Sequence, residues 1–238
     1  MRTVLMVLFD QVQSLDVTGP LEVFTGANTW RGGRGAGSAY DIRTASLGGR
    51  PVRTSSGLRI TPDEDLREIR LPRPGLLIVP GGQGSRRPDP ELTAWLRAHG
   101  RQADRLVSVC TGAFLLAEAG LLDGRRVTTH WAYCGSLAAR YPRVSVEGEP
   151  IFVRDGNVAT SAGVTAGIDL ALKLASIVAS RTVAEAIELA LEYDPAPPFK
   201  AGHPRIASPR IVDLVRARFA DRIERRTRQA DRVASSRP

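Results

Sequence analysis

The stretch LVSVCTGAF, Leu106–Phe114, decides the fold. An apolar, β-branched run ends on a cysteine, and Thr-Gly and a helix-forming segment follow at once. A strand that turns sharply into a helix is the repeating joint of an α/β sheet, and ligand sites in such sheets form at the carboxyl ends of strands. By that reading Cys110 stands at a strand end. The helix opening near Thr111 would aim unsatisfied N–H groups at its sulfur and favour the thiolate. Gly112 removes a side chain where helix and strand must approach closely. A buried cysteine can also be a small hydrophobe, but its place between strand and helix favours a nucleophile.

Outward from this joint the pattern repeats. TVLMVLF is a buried strand, and Thr18–Gly26 (TGPLEVFTG) opens a helix, with Thr18 as its cap and Pro20 in its first turn. Arg31–Ser38 is a glycine-rich loop and YDIRTAS a second strand. RPVRTSSGLRITP is a hairpin arm around Ser55-Ser56-Gly57. GLLIVPGG runs from a strand into a glycine turn, and DPELTAWLRAHG is an amphipathic helix. The helix that follows Cys110 is expected to end at Asp123-Gly124. VTTH, a helix over Trp131–Arg140, the paired segment IFVRDGNVAT and helices over Val164–Ala179 and Thr182–Leu191 complete the body. Strand–helix alternation with short apolar strands predicts a mostly parallel sheet covered by helices on both faces. The division expected is one domain over 1–194, then a proline-rich connector and basic helix over 195–238.

The chain has 238 residues, 42% hydrophobic and 24% charged, which suits one sizeable core. No apolar run approaches the ~20 residues of a membrane span, and the first strand meets Asp10 without a cleavage signal. Two cysteines, Cys110 and Cys134, form neither a disulfide framework nor a zinc quartet. The cytoplasm is the expected setting, where a free thiol persists. The net charge of +8 raises nucleic acid as a partner. Yet the positive charge is almost all scattered arginine; Lys173 and Lys200 are the only lysines. In the basic tail Asp221, Glu224 and Asp231 interleave at near-helical spacing, which suits a solvated helix better than a phosphate clamp. Neither nucleic acid nor membrane is expected as a partner.

Other strand ends supply candidate chemistry. In PGGQG, Gly81 and Gly82 can turn backbone amides toward developing negative charge. Asp16, in LDVTGP, can donate or accept a proton beside a thiol, or can cap a helix. Glu22 is expected to be solvated. His130, in VTTHWAY, suggests a Cys–His dyad, against the reading of a structural hydrogen bonder. No His/Cys/Asp/Glu set has metal-ligand spacing, and no phosphate loop or GxGxxG follows a strand.

These elements together resemble the PfpI/ThiJ-type branch of the class I glutamine amidotransferase-like superfamily. The stretches that carry the resemblance are LDVTGP, IVPGGQG, SVCTGAF, LLDGRRVTTHWAY, VRDGN, AGVTAGIDLAL and LEYDPAPPF. Within that branch the isocyanide hydratases are most similar. SVCTG and TTHWAY also resemble the amidotransferase-like domains of AraC-type regulators.

The resemblance implies a flavodoxin-like sandwich, a homodimer and no cofactor. It places the nucleophile on Cys110, its adjacent threonine on Thr111 and the essential carboxylate on Asp16. Val164 falls where a pocket residue, often isoleucine, is found, and His130 matches the superfamily's histidine. The small-molecule substrate implied is an isocyanide. Two alternatives stand beside it: a ligand-sensing module related to AraC-type regulators, and a glyoxalase-type or stress-related thiol enzyme. The short segment after Pro195 is expected to be too small for paired helix-turn-helix units.

Overall fold

The computed structural model describes residues 2–30, 37–69 and 74–219. Residues 31–36 of the glycine-rich loop and the tail past 219 lie outside the described residues. The strands are β1 (Arg2–Leu8), β2 (Tyr40–Ser46), β3 (Val52–Arg53), β4 (Arg59–Ile60), β5 (Glu64–Asp65), β6 (Leu76–Val79), β7 (Arg105–Ser108), β8 (Arg126–Val127), β9 (Ser145–Val146), β10 (Phe152–Asp155) and β11 (Val158–Ser161). The helices are α1 (Ser14–Trp30), α2 (Pro90–His99), α3 (Gly112–Glu118), α4 (Cys134–Arg140), α5 (Ala166–Val178) and α6 (Arg181–Ala190).

Seven strands form one sheet in the order β10-β11-β7-β6-β1-β2-β5. Its pairs run parallel except β10 with β11, the hairpin expected from IFVRDGNVAT. The central strands are apolar on both faces, as a doubly covered sheet requires. On β1, Val4, Met6 and Leu8 join the cluster that includes Val17 and Phe24 of α1 and Leu170 of α5. The alternate residues Leu5 and Val7 are equally buried on the opposite face. Helices α1, α5 and α6 pack together, as do α2 and α3. The fold is the flavodoxin-like sandwich. The arm around Gly57 is the antiparallel pair β3–β4, with Gly57 at φ +95°.

Two boundaries differ from expectation. Helix α1 begins at Ser14, four residues before Thr18, so Thr18 is no cap: its hydroxyl donates back to Ser14 O at 3.2 Å. Pro20 accordingly lies within the helix. Helix α3 stops before Gly120, well short of Asp123-Gly124. Gly120, at φ +70°, closes a Schellman turn, with Gly120 N donating to Ala117 O and Leu121 N to Leu116 O. The apolar character of LL at 121–122 belongs to core packing rather than to helix.

Two compact units divide the chain, Met1–Tyr193 and Asp194–Pro238. In the second, residues 209–219 are helical. Among the described residues no helix is long and apolar enough to cross a membrane.

Candidate active site

Cys110 follows the end of β7 at φ +53°, a left-handed conformation rare for a side chain with a Cβ. Such strain persists only where the surroundings over-determine it. Here they do. Cys110 N donates to Ser161 O at 3.2 Å, and Thr129 Oγ1 donates to Cys110 O at 2.7 Å. On the next turn Gly112 lies so close to β6 that a Cβ there would sit 2.1 Å from Val79 O. The strand-to-helix joint therefore requires glycine at 112 and holds the sulfur up on a sharp elbow.

The glycine turn after β6 meets this elbow. A Cβ on Gly81 would fall 2.5 Å from Thr111 N and 2.8 Å from Asp16 Oδ2. Gly81 N instead donates to Asp16 Oδ2 at 2.8 Å, and Gly82 N to Thr111 Oγ1 at 3.0 Å. This corrects the expectation for Gly81 and Gly82: each N–H has one hydrogen, and those two are directed at an acid and a hydroxyl rather than at a developing oxyanion. Asp16 is wholly buried in the first turn of α1, so it is not the helix cap that its position also allowed. Its Oδ1 is buried without a hydrogen-bond partner in the protein. Glu22, on the same helix, is exposed.

Burial pushes the Asp16 carboxyl up to about 7, against the pull of the Gly81 amide. Burial, and then the charge of Asp16, push the Cys110 thiol well above its ordinary range. The Thr111 amide and hydroxyl and the Arg86 guanidinium oppose that rise. The α3 terminus alone therefore does not make a thiolate, contrary to expectation: loss of water outweighs the donors. The two groups are coupled, because the charge of Asp16 is one of the causes that raise the thiol.

His130 is held near 4 by burial and then by Arg86. It is a neutral ring whose Nδ1 accepts from Ala132 N at 3.3 Å, capping the short 3-10 turn over Trp131–Tyr133. The causes that move Cys110 are burial, Asp16, Thr111 and Arg86, and the Ala132 bond gives His130 a structural role in the turn. Gly163 lies against His130, its Cβ position 3.7 Å from Cδ2. Next to it Val164 is half-buried and packed on the core. Cys134 is half-buried on α4.

Three residues escaped the sequence reading. Ser85 is buried, with Oγ 2.8 Å from Thr111 Oγ1. Arg86 is hydrogen-bonded to the Tyr133 hydroxyl, and its guanidinium stands 4.6 Å above that ring. Ser85 and Arg86 follow Gly82 by three and four residues, a spacing that could have flagged them. Thr129, which clamps the elbow, carries no such signal. A cavity of about 460 Å³ opens at the ends of β1 and β2, between Phe9, Arg50 and Arg87, but Cys110, Asp16 and Thr111 do not line it. The strained thiol and the buried acid, not this hollow, mark the candidate site.

The chain is similar to known proteins along most of its length. The model of the DJ-1/PfpI family matches residues 2–192. An isonitrile hydratase of Pseudomonas putida is 38% identical over 96% of this chain and 94% of its own length. The transcriptional regulator CdhR of Pseudomonas aeruginosa, of the HTH type, is 41% identical, over 57% of this chain and 40% of its own. The crystal structure of a THiJ/PfpI family protein from Pseudomonas syringae superposes with a TM-score of 0.81 at 30% identity, covering 98% of this chain and 90% of that one. With a family model over nearly all of the first unit and a relative matched along almost its whole length, the chain belongs to the DJ-1/PfpI family.

Proposed function

We propose that the protein hydrates isocyanides to N-substituted formamides without a cofactor, through a thioimidate on Cys110. One observation carries the reading: a buried carboxyl of raised pKa, one oxygen unpartnered, acts electrostatically on a thiol held on a strained elbow. The likeness to an isonitrile hydratase along both chains supports the substrate class.

The reaction balances with these groups alone. Cys110 passes its thiol proton to the Asp16 carboxylate as the sulfur bonds to the terminal carbon of R–N≡C, and the protonated Asp16 then gives that carbon its hydrogen, leaving R–N=CH–S. Asp16, now a carboxylate, takes a proton from water as the water oxygen bonds to the carbon, and that proton passes to nitrogen. The new hydroxyl then returns its proton to Asp16 as the carbon–sulfur bond breaks. Formamide leaves, and return of that proton from Asp16 to sulfur restores the thiol and the carboxylate. An acid poised near 7 can do both halves of this work at neutral pH. The Thr111 hydroxyl and amide steady the sulfur's charge. We place the enzyme in the cytoplasm as a homodimer, with an isocyanide as its small-molecule partner.

The test is incubation with a simple alkyl isocyanide while its formamide is measured. Formamide formation by the wild type and none by Cys110→Ala is expected; no formamide above the buffer rate would overturn the reading. A ligand-sensing role has its own support, since regulators of the HTH type match much of the same region. It requires a DNA duplex to be shifted with strong salt dependence. A carbonyl-directed thiol enzyme would instead consume a 2-oxoaldehyde.

A further inference from the structure

We propose that the cavity at the ends of β1 and β2 binds a small monocarboxylate with a hydrocarbon tail, its charge held by Arg50, Arg67 and Arg87. In the sheet order β1 stands between β2 and β6, where the chain passes from one half of the sheet to the other. Ligands of open α/β sheets bind at such points. The cavity of about 460 Å³ lies there, bounded by Leu8 and Phe9 at the end of β1, by Ser46 at the end of β2 and by Gly84 after β6. That volume is ordinary for a small-molecule site. Leu8, Val52, Leu92 and Leu115 give it a buried apolar wall.

The rim is charged, and its hydrogen bonds show which donors are spare. Glu91 is taken by Arg67, which donates from Nε to Oε1 at 2.6 Å and from Nη2 to Oε2 at 2.9 Å. Asp89 Oδ1 accepts from Glu91 N and Leu92 N at the start of α2, and Asp10 Oδ1 accepts from Arg53 N. Among the described residues the guanidinium groups of Arg50 and Arg87 have no ion pair or hydrogen bond. Arg50 acts on Glu91 only through space, behind Arg67.

Two of these cations converge. Arg67 Nη1, the nitrogen not used on Glu91, stands 3.3 Å from the point where a Cβ on Gly48 would sit. Arg50 Nε stands 3.1 Å and its Nη2 3.6 Å from the same point. Glycine at 48, with φ +71°, leaves that space open. The backbone beneath is tied, because Asp65 Oδ1 accepts from Gly48 N at 2.7 Å and from Arg67 N at 2.9 Å. A clamp already held in place loses less freedom when a ligand enters.

Spare N–H donors of two guanidinium groups facing one gap suit the two oxygens of a carboxylate. Three arginines and three acids line the cavity, so it has no net charge to hold a dianion such as phosphate. The apolar wall calls for a hydrocarbon body on the ligand. Cys110, Asp16 and Thr111 do not line this cavity, and the proposal does not depend on the hydration reading.

The probe is hexanoate, titrated into the full chain while backbone amide shifts are followed by NMR, with hexanol and inorganic phosphate as controls. Saturable shifts centred on Gly48, Arg50 and Gly84 are expected, with a dissociation constant on the order of 1 mM, the scale for so small a ligand on a solvated rim. Arg50→Gln and Arg87→Gln should each weaken hexanoate about threefold to tenfold, the range for an exposed charge-assisted contact. Both residues are exposed, so neither substitution threatens the fold. Arg59→Gln, outside the cavity, should change nothing. Hexanol should bind more weakly than hexanoate, and phosphate should not displace it. Shifts that do not saturate or that centre elsewhere, Thr111 included, would overturn the proposal. So would equal binding of hexanol, or unchanged affinity in both arginine variants. Displacement of hexanoate by phosphate would overturn the carboxylate assignment.

Discussion

Gly81 N–H donates to Asp16 Oδ2 at 2.8 Å, joining the turn after β6 to the first turn of α1, 65 residues away in sequence. That single donor holds one carboxylate oxygen and leaves Oδ1 buried and unpartnered. One oxygen is an anchor, and the other is available to move a proton. Asp16→Asn keeps the shape but cannot cycle a proton. Formamide production should fall by about two to four orders of magnitude, the scale of lost acid–base help. Alkylation of Cys110, which requires no proton on carbon, should survive. His130→Asn should be far milder. If Asp16→Asn stays active while His130→Asn dies, the acid–base assignment is wrong.

The same burial predicts a stability signature. An unfolded Asp16 ionises near 3.8 and the folded one near 7. Between those values the unfolded chain has released a proton that the folded chain still holds. Folding stability therefore falls as pH rises from about 4 to 7 and levels off above it, by on the order of 4 kcal/mol from this group. Asp16→Asn removes that slope. Melting curves from pH 4.5 to 8 should show the wild type losing more stability than the variant, with the gap widest at pH 8. Parallel curves would mean that Asp16 titrates normally in the folded protein.

Much of this site was legible because strand ends announce themselves. The apolar runs of VLMVLF, GLLIVPGG and RLVSVC each stop at a turn residue or a polar side chain, so Asp16, Gly81 and Cys110 could be placed at one sheet edge before any coordinates. Hydrogen direction was not legible: nothing in PGGQG tells that both amides are occupied by Asp16 and Thr111. The sign of the Cys110 shift also depends on burial, which reaches it from α1 and β6 as well as its own helix. Helix limits slipped where local signals conflict with packing, as at Thr18, where a good capping residue sits inside α1. Ser85 and Arg86 were passed over because Ser-Arg-Arg after a glycine turn looks like solvated loop.

Two cysteines should behave oppositely. Cys110→Ala and Cys110→Ser should abolish turnover while the fold persists, because the elbow is fixed by backbone bonds to Ser161 and from Thr129. Cys134 is half-buried on α4, its sulfur 3.7 Å from Thr129 O and from His130 O. Cys134→Ser should change turnover less than twofold and melting by no more than about 1 kcal/mol, the scale of one weak hydrogen bond. Labelling with iodoacetamide followed by peptide mapping separates the two thiols.

Arg86 carries the last prediction. It acts on His130 second to burial, and on Cys110 behind burial, Asp16 and Thr111. Its guanidinium also lies over Tyr133 and bonds its hydroxyl, so charge and packing are joined in one side chain. The two can be separated. Arg86→Lys keeps a positive charge but loses the planar stack and the fixed fork. Arg86→Met keeps length and loses the charge. Both should loosen Tyr133, but only methionine should leave the thiol higher, slowing Cys110 alkylation at pH 7 several-fold. Methionine should also let His130 rise from about 4 part of the way toward 6.5, because burial still acts on it alone. NMR titration of the His130 ring protons reads this shift directly. A His130 titration that is unmoved in Arg86→Met, together with unchanged alkylation, would reduce Arg86 to a packing partner of Tyr133 and remove it from the electrostatics of the site.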